Sequence, residues 1–125
     1  MNFQAMILIF VGGGLGSLVR YLLSIWPNQL KYFYLGTFLA NIIAAFLIGL
    51  FLYYYEIRPE KHWIKLFITV GFCGGLSTFS TFSNENLSLI QQSRYIELII
   101  YILLSIILGI IACLIGYKWA NGSLF

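Results

Sequence analysis

Four long apolar stretches separated by short polar ones form the pattern of this chain. The apolar stretches cover about residues 4–25, 33–55, 63–89 and 96–119. Each provides the roughly 20 residues that an α-helix needs to cross a bilayer. Both prolines lie in the polar separators at 26–29, 56–62 and 91–94, where a missing N–H is tolerated. The pattern therefore predicts an all-α membrane protein, a single domain over residues 1–125 with four transmembrane helices.

The composition supports this prediction and excludes other classes of protein. Hydrophobic residues make up 61% of the chain, charged residues 9%, and the mean hydropathy is +0.92. A soluble domain is about 45–50% apolar and about 25% charged, so neither a soluble globular protein nor a disordered one fits. The net charge of +3 comes without a basic stripe, which argues against nucleic acid as a partner. A protein this small can hardly enclose a pathway alone, so we expect an oligomer in the lipid bilayer.

Positive charges are nearly balanced between the two sides of the predicted bundle. The positive-inside rule weakly favours a cytoplasmic location for the side that carries both termini. Because the two sides differ so little in positive charge, the chain could also insert in both orientations and hence form an antiparallel dimer. The side with the termini carries Arg58, Lys61, Lys65 and Lys118, and the opposite side carries Lys31 and Arg94, with Arg20 near it.

The first stretch contains a glycine-rich run at 12–17 and an arginine at Arg20. The run is like the start of a dinucleotide-binding fingerprint, but no βαβ pattern follows, and the next acidic residue is Glu56. We expect instead that Gly12 and Gly16 form a face for close helix packing. An arginine inside a span marks either a function or an anchor that reaches the interface, and the sequence leaves both open for Arg20.

Polar residues recur at helical spacing in the second and fourth stretches. They suit either a packing seam with interhelical hydrogen bonds or the lining of a polar pathway. In the second stretch the spacing favours the packing seam, whereas in the fourth it does not decide between the two. The residues are Asn41, Ala45 and Gly49 in the second stretch, and Tyr101, Ser105 and Gly109 in the fourth.

The third stretch departs most from a plain membrane helix. Residues 71–85 contain three glycines within five positions, followed by hydroxyl side chains around Phe79 and Phe82. Glycine frees the backbone from helical geometry, so we predict a third helix broken at a glycine-rich segment near the membrane midplane. Carbonyls freed there could hold Na⁺, and phenyl ring edges could face an anion. The alternative is a packing helix whose hydroxyls bond to its own carbonyls.

Three segments of the sequence resemble the Fluc/CrcB fluoride-channel family. Residues 12–21 (GGGLGSLVRY) resemble the family pattern GGxxGAxxRY, and residues 36–49 (GTFLANIIAAFLIG) resemble GTLxVNxxGxFxxG. Residues 71–82 (GFCGGLSTFSTF) resemble GFCGGxTTFSTF, which is the most specific of the three. The length and the four-span layout match over essentially the whole chain.

The resemblance implies a fold and an activity. Members of the family form antiparallel, dual-topology dimers with two pores, and they carry a structural Na⁺ at the dimer interface. They are channels and not enzymes, and they let cytoplasmic fluoride leave passively through the plasma membrane. An inside-negative potential suffices to expel the anion.

The resemblance also implies roles for individual residues. Arg20 would attract the anion to a vestibule or help fix the fold, and the role of Glu85 stays open. Gly74 and Ser77 would bind Na⁺ through their backbone carbonyls. The pore would be lined by Asn41, Phe79, Ser80, Thr81, Phe82, Tyr101 and Ser105.

Three alternatives to a homodimeric channel remain at this point. One is a subunit of an obligate heterodimer with a paralogue, and another is an accessory subunit without transport of its own. The third is a small multidrug exporter, which would need a carboxylate in the first span, where this sequence has none.

Overall fold

The computed structural model describes residues 3–25, 32–58, 60 and 62–122, and the regular secondary structure of this part of the chain is helical. Helix α1 covers Phe3–Ile25 and α2 covers Leu35–Ile57. The third span consists of α3 (His62–Lys65), a π-helical segment (Leu66–Cys73), α4 (Gly74–Leu76) and α5 (Phe79–Gln91), and α6 covers Tyr95–Ala120. The loop at 26–29, Lys31, Pro59 and Lys61 lie outside the described residues.

Four helical stretches in the described part are long and apolar enough to cross a membrane. This confirms the all-α class and the predicted number of spans. Helix α1 packs mainly on the third span, and α2 packs mainly on α6.

Glycines set the close approach within both helix pairs. Gly12 and Gly16 are buried in α1, and a Cβ added at either would overlap the backbone of the third span. Gly49 of α2 and Gly116 of α6 are likewise buried against each other's helices. The packing face predicted from Gly12 and Gly16 is therefore confirmed, and it follows the small-residue rule for membrane helices.

A small apolar core joins the two helix pairs. Ala40 and Ala44 of α2 meet Cys73 and Leu76 of the third span, and all four are fully buried. Small side chains on α2 let the third span approach closely, which places its polar residues beside Asn41.

The glycines of the third span lie within helical segments. A Cβ added at Gly75 would overlap the Gly13 backbone of α1, and one added at Gly71 would lie in tight contact, 3.0 Å from the Ile9 carbonyl oxygen. Extended backbone occurs instead at Ser77 (φ −76°, ψ 152°) and Thr78 (φ −153°, ψ 120°), between α4 and α5. Gly71 and Gly75 therefore serve helix packing, and Gly74, which has no described neighbour within 4 Å of an added Cβ, is helical as well. From the sequence we expect these glycines to free the backbone themselves.

Candidate functional site

Asn41 of α2 binds the extended backbone between α4 and α5. Its Oδ1 accepts a hydrogen bond from the Thr78 N–H at 2.8 Å, and its Nδ2 lies 3.4 Å from the Thr78 carbonyl oxygen. The carboxamide thus satisfies a buried peptide group that lacks helical partners, which would otherwise be costly to bury. Asn41 keeps one amide N–H beyond the bond to the Thr78 carbonyl, since the group has two such donors.

Thr78 is the N-cap of α5, and its side chain contacts the hydroxyl groups of the residues that follow it. Its Oγ1 accepts from the Thr81 N–H at 3.2 Å, as an N-cap residue does. The same oxygen lies 3.1 Å from Thr81 Oγ1 and 3.2 Å from Ser80 Oγ. Thr78 itself is 7% exposed, whereas Ser80 and Thr81 are exposed.

The redirected N–H groups leave two backbone carbonyls without their helical donors. In an uninterrupted α-helix, the Thr78 N–H would bond to the Gly74 carbonyl and the Thr81 N–H to the Ser77 carbonyl. Here the first N–H donates to Asn41 and the second donates to the Thr78 side chain. The carbonyl oxygens of Gly74 and Ser77 are therefore available to a cation. Backbone carbonyl oxygens are the ligands that Na⁺ sites in broken membrane helices use.

A groove of about 400 Å³ lies beside this segment, between α2, α5 and α6. The rings of Phe79 and Phe82 have centroids 6.0 Å apart and planes inclined by 34°. Phe79 is 80% exposed, so the groove is open on its side. The described residues that line it are all uncharged, and they are Asn41, Ala44, Ala45, Ile48, Ser77, Thr78, Phe79, Phe82, Ser105 and Ile106.

Ser105 brings a hydroxyl to the α6 wall of the groove. Its Oγ is buried and has no hydrogen-bond partner among the described residues. A buried hydroxyl without a partner is unusual, and here it faces the same groove as the Asn41 amide. The groove therefore combines neutral hydrogen-bond donors with aromatic rings.

A buried carboxylate lies behind the groove. Glu85 is 7% exposed, its Oε1 accepts from Thr37 Oγ1 at 2.7 Å, and its Oε2 accepts from the Tyr101 hydroxyl at 2.7 Å. The Tyr101 ring in turn packs against Phe82 with a centroid distance of 5.1 Å. Glu85 thus holds Tyr101 in place behind one of the groove phenylalanines.

A second polar cluster lies where α2 and α6 begin. The Tyr34 hydroxyl donates to Glu97 Oε2 at 3.0 Å, and Arg94 Nε donates to Glu97 Oε1 at 2.8 Å. Burial, together with the bond to Glu97, raises the pKa of Tyr34 to about 12. The hydrogen bond to Glu97 also raises the pKa of the Arg94 guanidinium.

The structure brings together four of the predicted pore residues, namely Asn41, Phe79, Phe82 and Ser105. Ser80 and Thr81 gather around Thr78 at the start of α5, and the Tyr101 hydroxyl points to Glu85. Arg20 lies half-buried near the end of α1 and is not part of the groove lining.

Sequence reasoning missed two residues of this site. Thr37 precedes Asn41 by four positions and so lies on the same face of α2, which is a signal that could have identified it. Thr78 stands among five other hydroxyl residues between 77 and 88, and nothing in the sequence separates it from them.

Comparisons with known proteins agree on one family. Residues 7–117 match the model of the family described as CrcB-like protein, Camphor Resistance (CrcB). A relative from Ignicoccus hospitalis is 41% identical over 118 residues, which cover 94% of this chain and 96% of the relative. One from Bacteroides fragilis is 45% identical over 118 residues (90% and 93%), and one from Pyrococcus abyssi is 38% identical over 124 residues (97% and 99%).

Each of these three relatives is named fluoride-specific ion channel FluC. The four apolar helices and the similarity to these channels together identify the chain as a multi-pass protein of the plasma membrane. Because the family match extends over nearly the whole sequence, this chain belongs to the CrcB family.

Proposed function

We propose that this chain forms a fluoride-selective channel that lets cytoplasmic fluoride leave the cell passively. The observation that carries the proposal is the groove of uncharged donors and phenyl rings beside the extended segment at Ser77 and Thr78. The name of its relatives, fluoride-specific ion channel, supports the same function.

Fluoride is small and strongly hydrated, so a pore has to replace its water with other donors while binding it weakly enough for release. The remaining Asn41 N–H and the unpartnered Ser105 hydroxyl supply such donors on opposite walls of the groove. Phe79 and Phe82 add the positive edges of their rings. The described lining residues are uncharged, so they place no fixed cation in the groove that would hold the anion.

The exposed face of α5 supports an antiparallel dimer with two pores. Ser80, Thr81, Ser83 and Asn84 are exposed on a helix that belongs to an apolar span. Polar side chains in a membrane face a protein partner or a water-filled path rather than lipid. A second copy would cover this face and would close each groove over Phe79, which is 80% exposed in the single chain.

The carbonyls of Gly74 and Ser77 fit a structural Na⁺ at the interface of that dimer. Both have lost their helical donors, and Gly74 is exposed on the surface of the single chain. Two carbonyls are too few for a sodium site, but a two-fold axis would double them to four. Bound there, Na⁺ would tie the two chains together through neutral backbone oxygens.

Two further residues act at the ends and the back of this path. Arg20 attracts the anion toward the groove, since it is a cation placed late in a membrane helix. Glu85 positions Tyr101 behind Phe82 through its hydrogen bond. The inside-negative potential drives the export, so neither ATP nor a proton gradient is needed.

Fluoride efflux from liposomes that contain Phe82→Ile tests the pore assignment. Removal of the ring edge should lower the efflux at least about tenfold, which corresponds to about 1.4 kcal/mol of barrier. Phe10→Ile is the matched control, because Phe10 is 81% exposed on α1 and lies outside the groove lining. Equal efflux from both variants would contradict the pore assignment.

A further inference from the structure

A series of ring contacts joins the groove to the polar cluster where α2 and α6 begin. At the groove end, Phe82 contacts Phe79, and it also packs against Tyr101 with a centroid distance of 5.1 Å. The Tyr101 ring in turn contacts the Tyr34 ring at 4.8 Å, with planes inclined by 30°. Tyr34 thus reaches Phe82 through a single intermediate side chain, although it is not among the described residues that line the groove.

The outer end of this ring series is attached to a charged pair. The Tyr34 hydroxyl donates to Glu97 Oε2 at 3.0 Å. Glu97 itself accepts from two N–H groups of Arg94, one on Nε and one on Nη2. Hydrogen bonds to charged groups are stronger than those between neutral groups, so the Tyr34 ring has a fixed attachment at the start of α6.

The Tyr101 ring has room to move on the side of this cluster. A groove of about 470 Å³ lies between the starts of α2 and α6, and both Tyr34 and Tyr101 line it. Glu85 holds only the hydroxyl of Tyr101, which leaves the ring free to tilt about that bond. Tyr34 makes the closest ring contact described for Tyr101, so its ring limits this tilt.

We propose that Tyr34 is a positioning residue for the fluoride path, and that its ring holds Tyr101 against Phe82. The inference rests on the proposed function, since it concerns a phenylalanine whose ring edge is proposed to meet the anion. Aromatic pairs favour particular offset and edge geometries. Loss of the Tyr34 ring therefore lets Tyr101 turn towards the neighbouring groove and changes the position of Phe82.

A fluorine label at the groove reports on this contact directly. With para-fluorophenylalanine in place of Phe82, the chemical shift of the label depends on the position of the Tyr101 ring beside it. Tyr34→Leu should shift this fluorine resonance in detergent micelles. Tyr53→Leu is the matched control and should leave the resonance unchanged, because Tyr53 makes its ring contact with Tyr117, at 5.8 Å, near the other end of the same two helices.

Fluoride efflux from liposomes, compared at equal amounts of monodisperse protein, gives the functional readout. Loss of one aromatic pair corresponds to about two- to twelvefold in rate. Tyr34→Leu should lower the efflux by that factor, and Tyr53→Leu should not. Tyr34→Phe retains the ring and loses only the bond to Glu97, so its efflux should lie closer to that of the wild type than to that of Tyr34→Leu.

A second background separates positioning from a general effect on stability. With Tyr101→Leu already in place, the link between Tyr34 and Phe82 is gone. Tyr34→Leu should then cause no further shift of the fluorine resonance. A role of Tyr34 in the stability of the fold alone does not depend on Tyr101 and would still move the resonance in this background.

The outcomes separate this inference from the proposed function. An unchanged resonance in Tyr34→Leu, an equal shift in Tyr53→Leu, or a further shift in the Tyr101→Leu background would each overturn the positioning role and leave the proposed function standing. Efflux of Tyr34→Leu equal to that of the wild type, or of Tyr34→Phe as low as that of Tyr34→Leu, would do the same. A wild-type protein without fluoride efflux would remove the proposed function, and the positioning role with it.

Discussion

The contact between α1 and the third span makes a quantitative prediction about Gly16. A Cβ added at Gly16 would lie 2.8 Å from the Leu76 amide nitrogen and closer still to the Phe72 carbonyl oxygen. Both atoms belong to the backbone, so the two helices would have to separate. Overpacking of this kind costs about 1–3 kcal/mol.

Gly14 offers a matched control on the same helix, because an added Cβ there would have no atom of a described residue within 4 Å. The substitution Gly14→Ala should stabilise α1 by about 0.5–1 kcal/mol through reduced backbone freedom. The free energies of unfolding of Gly16→Ala and Gly14→Ala should therefore differ by about 1.5–4 kcal/mol.

Thermal unfolding in detergent micelles, followed by the loss of the monodisperse peak in size-exclusion chromatography, measures this difference. Gly16→Ala should unfold at a lower temperature than the wild type, and Gly14→Ala should not. Equal melting temperatures for the two variants would refute the packing described for Gly16.

Three further predictions concern the polar contacts and the groove. Thr37→Val or Tyr101→Phe removes a hydrogen-bond donor from the buried Glu85 carboxylate and should lower the free energy of unfolding by about 1.5–3 kcal/mol. Chemical unfolding measures this loss. Ser105→Ala is the control, because the Ser105 hydroxyl has no described partner, and a loss smaller than that of the control would contradict the prediction. The pKa of Tyr34 is raised from 10.0 to about 12, so its contribution to stability is complete below pH 10 and is lost as the pH rises towards 12. Between pH 8 and pH 11, the free energy of unfolding should therefore fall less for Tyr34→Phe than for the wild type. Identical decreases would argue against the bond to Glu97. Gly109→Ser should have the melting temperature of the wild type, because an added Cβ there has no atom of a described residue within 4 Å. A clear drop in melting temperature would contradict this and would mean that a neighbour packs against Gly109.

The main features of the fold follow from the sequence because membrane helices obey simple rules. Apolar length predicts the spans, and the spacing of Gly12 and Gly16 predicts a packing face. The extended backbone was predicted at the glycines and lies at Ser77 and Thr78 instead. Glycine permits both extended backbone and close helix contact, and only the neighbouring helix decides between them.

The candidate site was less accessible to sequence reasoning. The family resemblance pointed to Asn41 and the phenylalanines, but not to the bonds between Asn41 and the peptide group of Thr78. This contact joins residues 37 positions apart, and it depends on the small side chains of Ala40 and Ala44 that bring the third span close to α2. Thr37 and Thr78 act through partners on other segments, which a local pattern does not reveal.

Anion release from liposomes that contain the purified chain alone tests the proposed fluoride channel most directly. A fluoride electrode and a chloride electrode would follow the efflux in parallel vesicle preparations under the same driving force. We expect fast fluoride release without chloride release. A well-folded protein that releases neither anion, or both at similar rates, would contradict a self-sufficient fluoride-selective channel.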